Sequence, residues 1–160
     1  MARMRKGKKP KPLPLSRSEM MARIKGKDTV PELLVRRAVW AAGLRYRLHD
    51  RRLPGRPDLV FPGRRVAVFV HGCFWHCHEG CNRFRIPKTR TDWWTAKLGR
   101  NKARDDEVRA AIEASGWEVI VIWECEAERP ERLSELVGEL KALTSVSARK
   151  RFPLNSASET

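Results

Sequence analysis

This sequence has no long apolar run. Nowhere do its 160 residues approach the roughly 20 apolar positions of a membrane-spanning helix, so no membrane partner is expected. The basic N-terminus lacks the apolar stretch that would follow it in a secretory signal. Cysteine is scarce at four residues, and without export these are expected as thiols or metal ligands rather than disulfides. Acidic residues are outnumbered: 19 Asp and Glu stand against 34 Lys and Arg, giving a net charge of +15 and a pI near 10.5. Such an excess points to a polyanionic partner, most often nucleic acid, and says nothing about fold. The bland alternative is an Arg-rich composition unrelated to function. No internal repeat is visible, and 160 residues suffice for one domain with a real core.

What is present is concentrated in one stretch. Val66-Ala-Val-Phe-Val70 reads as a buried strand and runs directly into His71, Cys73, His76, Cys77, His78 and Cys81, interleaved with Phe74 and Trp75. A strand that empties into so many ligands is building a site.

Residues 1–15 hold Lys, Arg, Pro and Gly with little to bury, which predicts a disordered basic tail. A folded domain is expected over 16–143 and a flexible polar tail over 144–160. Within the domain a short helix is predicted near Ser18, carrying Met20, Met21 and Ile24 and ending at Gly26. Asp28-Thr29-Val30-Pro31-Glu32 opens a helix reaching Gly43. Leu44 to Leu48 reads as an edge strand, and 51–57 as a loop stiffened by two prolines. Asp58 to Phe61 and Arg65 to Val70 form a hairpin about Pro62-Gly63, which sets Asp58 opposite the region of Phe69 to His71. A long helix opens at Thr89 to Asp92 and reaches about Ser115. A buried strand spans Trp117 to Trp123, and an amphipathic helix Arg132 to Leu143. If the strands at 66–70 and 117–123 are parallel neighbours, the helix between them is a right-handed crossover. Both strands then end on one sheet edge, bringing Cys125 to the ligand-rich loop.

Cys73, Cys77, His78, Cys81 and Cys125 offer five ligands for the four places of a structural zinc site. The preferred set is Cys73, His78, Cys81 and Cys125, with Cys77 as the alternative; reduced cysteines packed as small hydrophobes suit Cys125 alone. Phosphodiester hydrolysis needs a divalent cation, a carboxylate to hold it and a base for water. Asp58, His71, His76, Glu32 and Asp105 are the candidates. Taken singly, Glu32 also suits a helix-dipole partner, and Asp105 an ion pair with Arg109. Phe74, Trp75, Trp93 and Trp94 read either as core or as residues that stack on bases.

Gly55-Arg-Pro-Asp58, Phe69-Val-His71-Gly-Cys73-Phe-Trp-His76, Thr89-Arg-Thr-Asp-Trp-Trp94, Lys97-Leu-Gly-Arg-Asn101, Arg104-Asp105 and Val121-Ile-Trp-Glu-Cys125 together resemble the very-short-patch repair (Vsr) mismatch endonucleases. The resemblance covers about residues 16–143. It implies an α/β restriction-endonuclease-like fold, with a mixed central sheet flanked by helices and a structural zinc. Pro57-Asp58 with Phe69-x-His71 would be an altered form of that fold's nuclease motif. By the same resemblance Asp58 and the backbone carbonyl of Val70 would hold catalytic Mg2+, two ions in all. His76 would activate water, supported by His71, Asp105 and Glu32, while Cys73, His78, Cys81 and Cys125 would hold Zn2+. Phe74, Trp75 and Trp94 would wedge into a T·G mismatch from the major groove, with Met21 and Ile24 pressing from the minor groove. The implied reaction is a nick 5′ of the mismatched thymine left by 5-methylcytosine deamination. The implied setting is a monomer on the nucleoid in the bacterial cytoplasm, linked to a cytosine methyltransferase and to mismatch-repair proteins. The sequence departs from the family at Cys77 and at an extra residue near Glu79-Gly80, which keeps Cys77 open as the middle zinc ligand. A zinc-stabilised DNA-binding module without catalysis, and a restriction nuclease of the same fold, are the competing readings.

Overall fold

The computed structural model describes residues 26–143. The predicted helix near Ser18, with Met21 and Ile24, lies outside them, as do both tails. Within them the order is α1 (Val30–Ala41), β1 (Arg47–Leu48), β2 (Leu59–Phe61), β3 (Val66–His71), α2 (Thr91–Ala114), β4 (Glu118–Trp123), α3 (Glu124–Ala127) and α4 (Pro130–Ala142). The strands form one mixed sheet in the order β1-β2-β3-β4, with the last pair parallel and the others antiparallel.

Each β3 side chain falls on one of two faces by simple alternation. Val66 and Val68 lie in a cluster with Val35 and Val39 of α1 and Leu136 and Leu140 of α4, and Val70 packs against it. Ala67 belongs to the opposite cluster with Val60, Val119 and Ile112 of α2, joined by Phe69 and Val108. A sheet covered on both faces explains why β2 reads Leu-Val-Phe without a polar position. Leu59, Val66, Val68, Leu136 and Leu140 are fully buried, each worth about 1.5–3 kcal/mol against exposure.

Several boundaries differ from expectation for local reasons. The edge strand shrinks to Arg47–Leu48, because Leu44 turns into the α1 cluster and its N–H bonds the Val39 carbonyl instead. The hairpin connection is longer than Pro62-Gly63: Arg64 N–H bonds the Phe61 carbonyl, and Arg65, at φ +54°, delays β3 to Val66. A short helix, α3, follows β4 where none was expected, its start closed by Glu126 accepting the Trp123 N–H at 3.0 Å.

The loop before Asp58 is pressed against α2. Gly55 has φ +70°, and a Cβ there would overlap Val108 Cγ1. Gly55→Ala combines an unfavourable left-handed backbone with an overlap, and is expected to lower unfolding stability by about 2–4 kcal/mol in urea denaturation. Gly63→Ala, with nothing within 4 Å, serves as the control and should change little.

Candidate active site and metal centre

Strand parity carries His71 to the α2 face, where Ala67 and Phe69 already point. Asp58, one residue before β2, shares the parity of Val60 and reaches the same face. Its Oδ2 accepts the Val70 N–H at 2.7 Å, so the carboxylate meets the backbone beside His71 rather than the imidazole. Burial pushes the Asp58 carboxyl up to about 6; the Val70 N–H opposes this and the charge of Glu32 adds to it.

His71 and His76 stack with ring centres 3.9 Å apart and planes 11° off parallel. Asp105, on α2, meets His76 Nδ1 through Oδ2 at 2.5 Å. A carboxylate only accepts, so His76 carries its proton on Nδ1 and leaves Nε2 as the free lone pair. Burial, reinforced by His76, lowers His71 to about 4, and its ring is neutral at pH 7. The alternative for Asp105, an ion pair with Arg109, is not the one adopted: Arg109 Nε turns to Glu113 at 2.9 Å. One cavity of about 690 Å3 is lined by Glu32, Asp58, His71, His76, Asp105 and Glu124.

Glu32 serves its helix and the site together. It accepts the Asp28 N–H at 3.0 Å and the Thr29 hydroxyl at 2.9 Å, and also pairs with Arg36 at 2.8 Å. The Arg36 guanidinium also meets Asp28 at 2.5 Å, so a protein cation already occupies the gap between these carboxylates.

Ligand atoms of Cys73, His78, Cys81 and Cys125 lie within 4.8 Å of one another. Both Cys73 Sγ and Cys125 Sγ approach His78 Nδ1 at 3.5 Å. Cys77 is turned out by its φ of +57°, and its thiol faces the Leu98 carbonyl at 3.7 Å. Burial pushes Cys73 up to about 12 and raises Cys125, whereas the Arg83 backbone N–H lowers Cys81. Three thiols and an imidazole converging around one point are the donor set of a soft dication such as zinc. Trp123 partitions the loop: its ring stacks on His78 at 4.1 Å and meets His71 edge-on at 5.5 Å.

The aromatics divide differently from a simple exposed wedge. Trp94 is only 7% exposed, with Phe74 at 5.4 Å and Trp75 at 6.1 Å, both half-buried. Trp93, by contrast, is 44% exposed, with Arg90 and Lys97 over its ring. Asn101 Nδ2 donates to the Trp75 carbonyl at 3.1 Å, tying this loop to α2.

Residues 13–83 match the family described as DNA mismatch endonuclease Vsr. The DNA mismatch endonuclease Vsr of Escherichia coli (strain K12) is 39% identical over 120 residues, 75% of this chain and 76% of that protein. The Type II nicking enzyme V.XorIIP of Xanthomonas oryzae pv. oryzae is 49% identical over 113 residues, 71% of this chain and 82% of its own length. The chain belongs to the Vsr family. A third relative, the Type II nicking enzyme V.NmeAIP of Neisseria meningitidis, is 44% identical over 129 residues, 78% of this chain and 91% of its own.

Three residues of this Vsr-family chain join the site without having been singled out in the sequence. His49 Nδ1 lies 3.9 Å from Asp58 Oδ1, Arg36 bridges Glu32 to His49, and Glu124 accepts the Cys73 N–H at 3.2 Å. Glu124 sat in a noted motif, Val121 to Cys125. His49 and Arg36 carry no motif signal, although a buried arginine one turn after Glu32 was readable from helical spacing.

The raised Asp58 carboxyl has a stability consequence. Its folded value lies above the unfolded 3.8, so the native state holds the extra proton between them. The cost is absent below 3.8, grows up to about 6 and is full above it, at most about 3 kcal/mol. Asn keeps an acceptor for Val70. Without divalent cations, Asp58→Asn should therefore out-stabilise the parent by a margin that widens up to pH ~6 and then stays flat. Chemical denaturation across that range reads it, and a margin independent of pH would contradict the burial argument.

Proposed function

We propose that this chain is a Mg2+-dependent DNA endonuclease of restriction-endonuclease-like fold that nicks duplex DNA 5′ of the thymine in a T·G mismatch. The observation that carries the reading is the pairing, on one sheet face, of the Asp58 carboxylate with the Asp105–His76–His71 array. Asp58 and the Val70 backbone carbonyl would hold magnesium. The fit is electrostatic: burial and Glu32 leave Asp58 short of positive charge, which an oxygen-seeking dication provides. When bound, magnesium supplies positive charge at the scissile phosphate and makes water more acidic.

The rest of the chemistry belongs to the side chains. His76 Nε2 takes the proton of the attacking water, and Asp105, on Nδ1, stabilises the imidazolium that forms. His71, neutral and stacked, fixes the His76 ring plane without opposing its charging. Glu32 contributes through Arg36 rather than by contact with the reacting atoms. Phe74 and Trp75, backed by the buried Trp94, would form the wedge, with Met21 and Ile24 assigned to the minor-groove side; a T·G pair is the cheap place to unstack. Cys73, His78, Cys81 and Cys125 would hold a structural zinc. Repair of deaminated 5-methylcytosine, alongside a cytosine methyltransferase and mismatch-repair proteins, is the role we assign. We place it as a monomer in the bacterial cytoplasm.

A duplex with one T·G pair and its matched control, each with and without Mg2+, tests this reading. Nicking of the mismatched strand alone is expected, and only with Mg2+. Cutting of the control would indicate a nuclease for intact sites, and binding without cleavage a non-catalytic module. Asp58→Ala should abolish nicking with zinc content unchanged, and His76→Ala should cost about 10²–10⁴-fold. Trp75→Ala should chiefly lower the ratio of mismatched to matched binding; an unchanged ratio would return Trp75 to a packing role.

A further inference from the structure

Asp58 has one oxygen fixed by the Val70 N–H at 2.7 Å. That leaves the carboxylate plane to be set, because the terminal torsion of an aspartate is soft. The other oxygen, Oδ1, faces His49 Nδ1 at 3.9 Å, beyond hydrogen-bond length but within electrostatic reach. His49 follows β1 with φ +46°, a conformation that a residue with a side chain keeps only where its surroundings hold it. Its other nitrogen, Nε2, lies 3.4 Å from Arg36 Nη2. Arginine has donors only and stays protonated, so this contact requires a lone pair on Nε2. The His49 proton is therefore on Nδ1, toward Asp58. Arg36 is itself pinned by Glu32 at 2.8 Å and Asp28 at 2.5 Å, and Glu32 is pinned by the Asp28 N–H and the Thr29 hydroxyl just before α1.

We propose that Glu32, Arg36 and His49 form a positioning relay that sets the tautomer of His49 and, through it, the orientation of the Asp58 carboxylate as a cation ligand. His49 is the positioning residue, acting through Asp58 and touching no reacting atom. The relay gives Glu32 a physical route to the site from its place in the first turn of α1. The cation part rests on the function proposed above; the tautomer part does not.

Long-range nitrogen–proton NMR of the Mg2+-free protein near pH 8 reads the tautomer directly, with the His49 signals assigned by their loss in His49→Gln. Imidazole in water favours the Nε2–H form, so an Nδ1–H form for His49 is the expected result, and Nε2–H would overturn the relay. In nicking assays His49→Leu should raise the half-saturating Mg2+ concentration about 10–100-fold with DNA affinity unchanged. His49→Gln keeps an acceptor for Arg36 and a donor for Asp58, and should recover to within about threefold of the parent. Unchanged Mg2+ dependence in His49→Leu, or no recovery in His49→Gln, would refute the relay. Should His49→Leu fail to fold, the tautomer of the unsubstituted protein decides. Active Asp58→Ala would sink the proposed function while leaving the tautomer result standing.

Discussion

The site depends on the parallel pairing of β3 with β4. In this register His71 lies beside Trp123, so both strands finish at the same sheet edge. The His- and Cys-rich loop leaves the sheet at that edge. The loop after β3 supplies five potential ligands, and the chain after β4 supplies Glu124 and Cys125. A one-residue slip of this pair would exchange the two faces of β3 and send His71 to the α1 side. Continuous burial of Val66, Val68 and Ile122 against α1 and α4 holds the register.

Given that edge, the crowding of ligands becomes a sorting problem, which backbone geometry solves. The left-handed turn at Cys77 rotates one thiol away and lets His78 turn inward. Trp123 then stands as a wall, touching His78 on one face and His71 at its edge. The stacked His71–His76 pair is thereby separated from the cluster of Cys73, His78, Cys81 and Cys125. The wall comes from β4, far from the loop in sequence, so spacing within the loop does not by itself set the partition.

Much of this was legible in advance. Hydrophobic runs bounded by turns predicted all of the longer elements, and hairpin arithmetic placed Asp58 next to the end of β3. What escaped was set by long-range contacts. Leu44 reads as strand but is drawn into the core, which shortens β1. Asp105 looks equally suited to Arg109 one turn away; the choice of His76 depends on a loop 29 positions distant. His49 lies in an unremarkable Arg-Leu-His-Asp segment, and only its meeting with Arg36 and Asp58 distinguishes it.

The grip of α2 on the loop after β3 has a consequence for association with a substrate. Asn101 holds the Trp75 carbonyl and Asp105, one helical turn later, holds the His76 ring. Two adjacent loop residues are thus fastened at two adjacent rungs of a stiff rod. Such a two-point clamp removes rotation of the loop about either attachment. The entropy of arranging an indole and an imidazole relative to each other is lost during folding, before any nucleic acid arrives. An encounter then needs to align only the DNA, against a surface whose parts already keep their spacing.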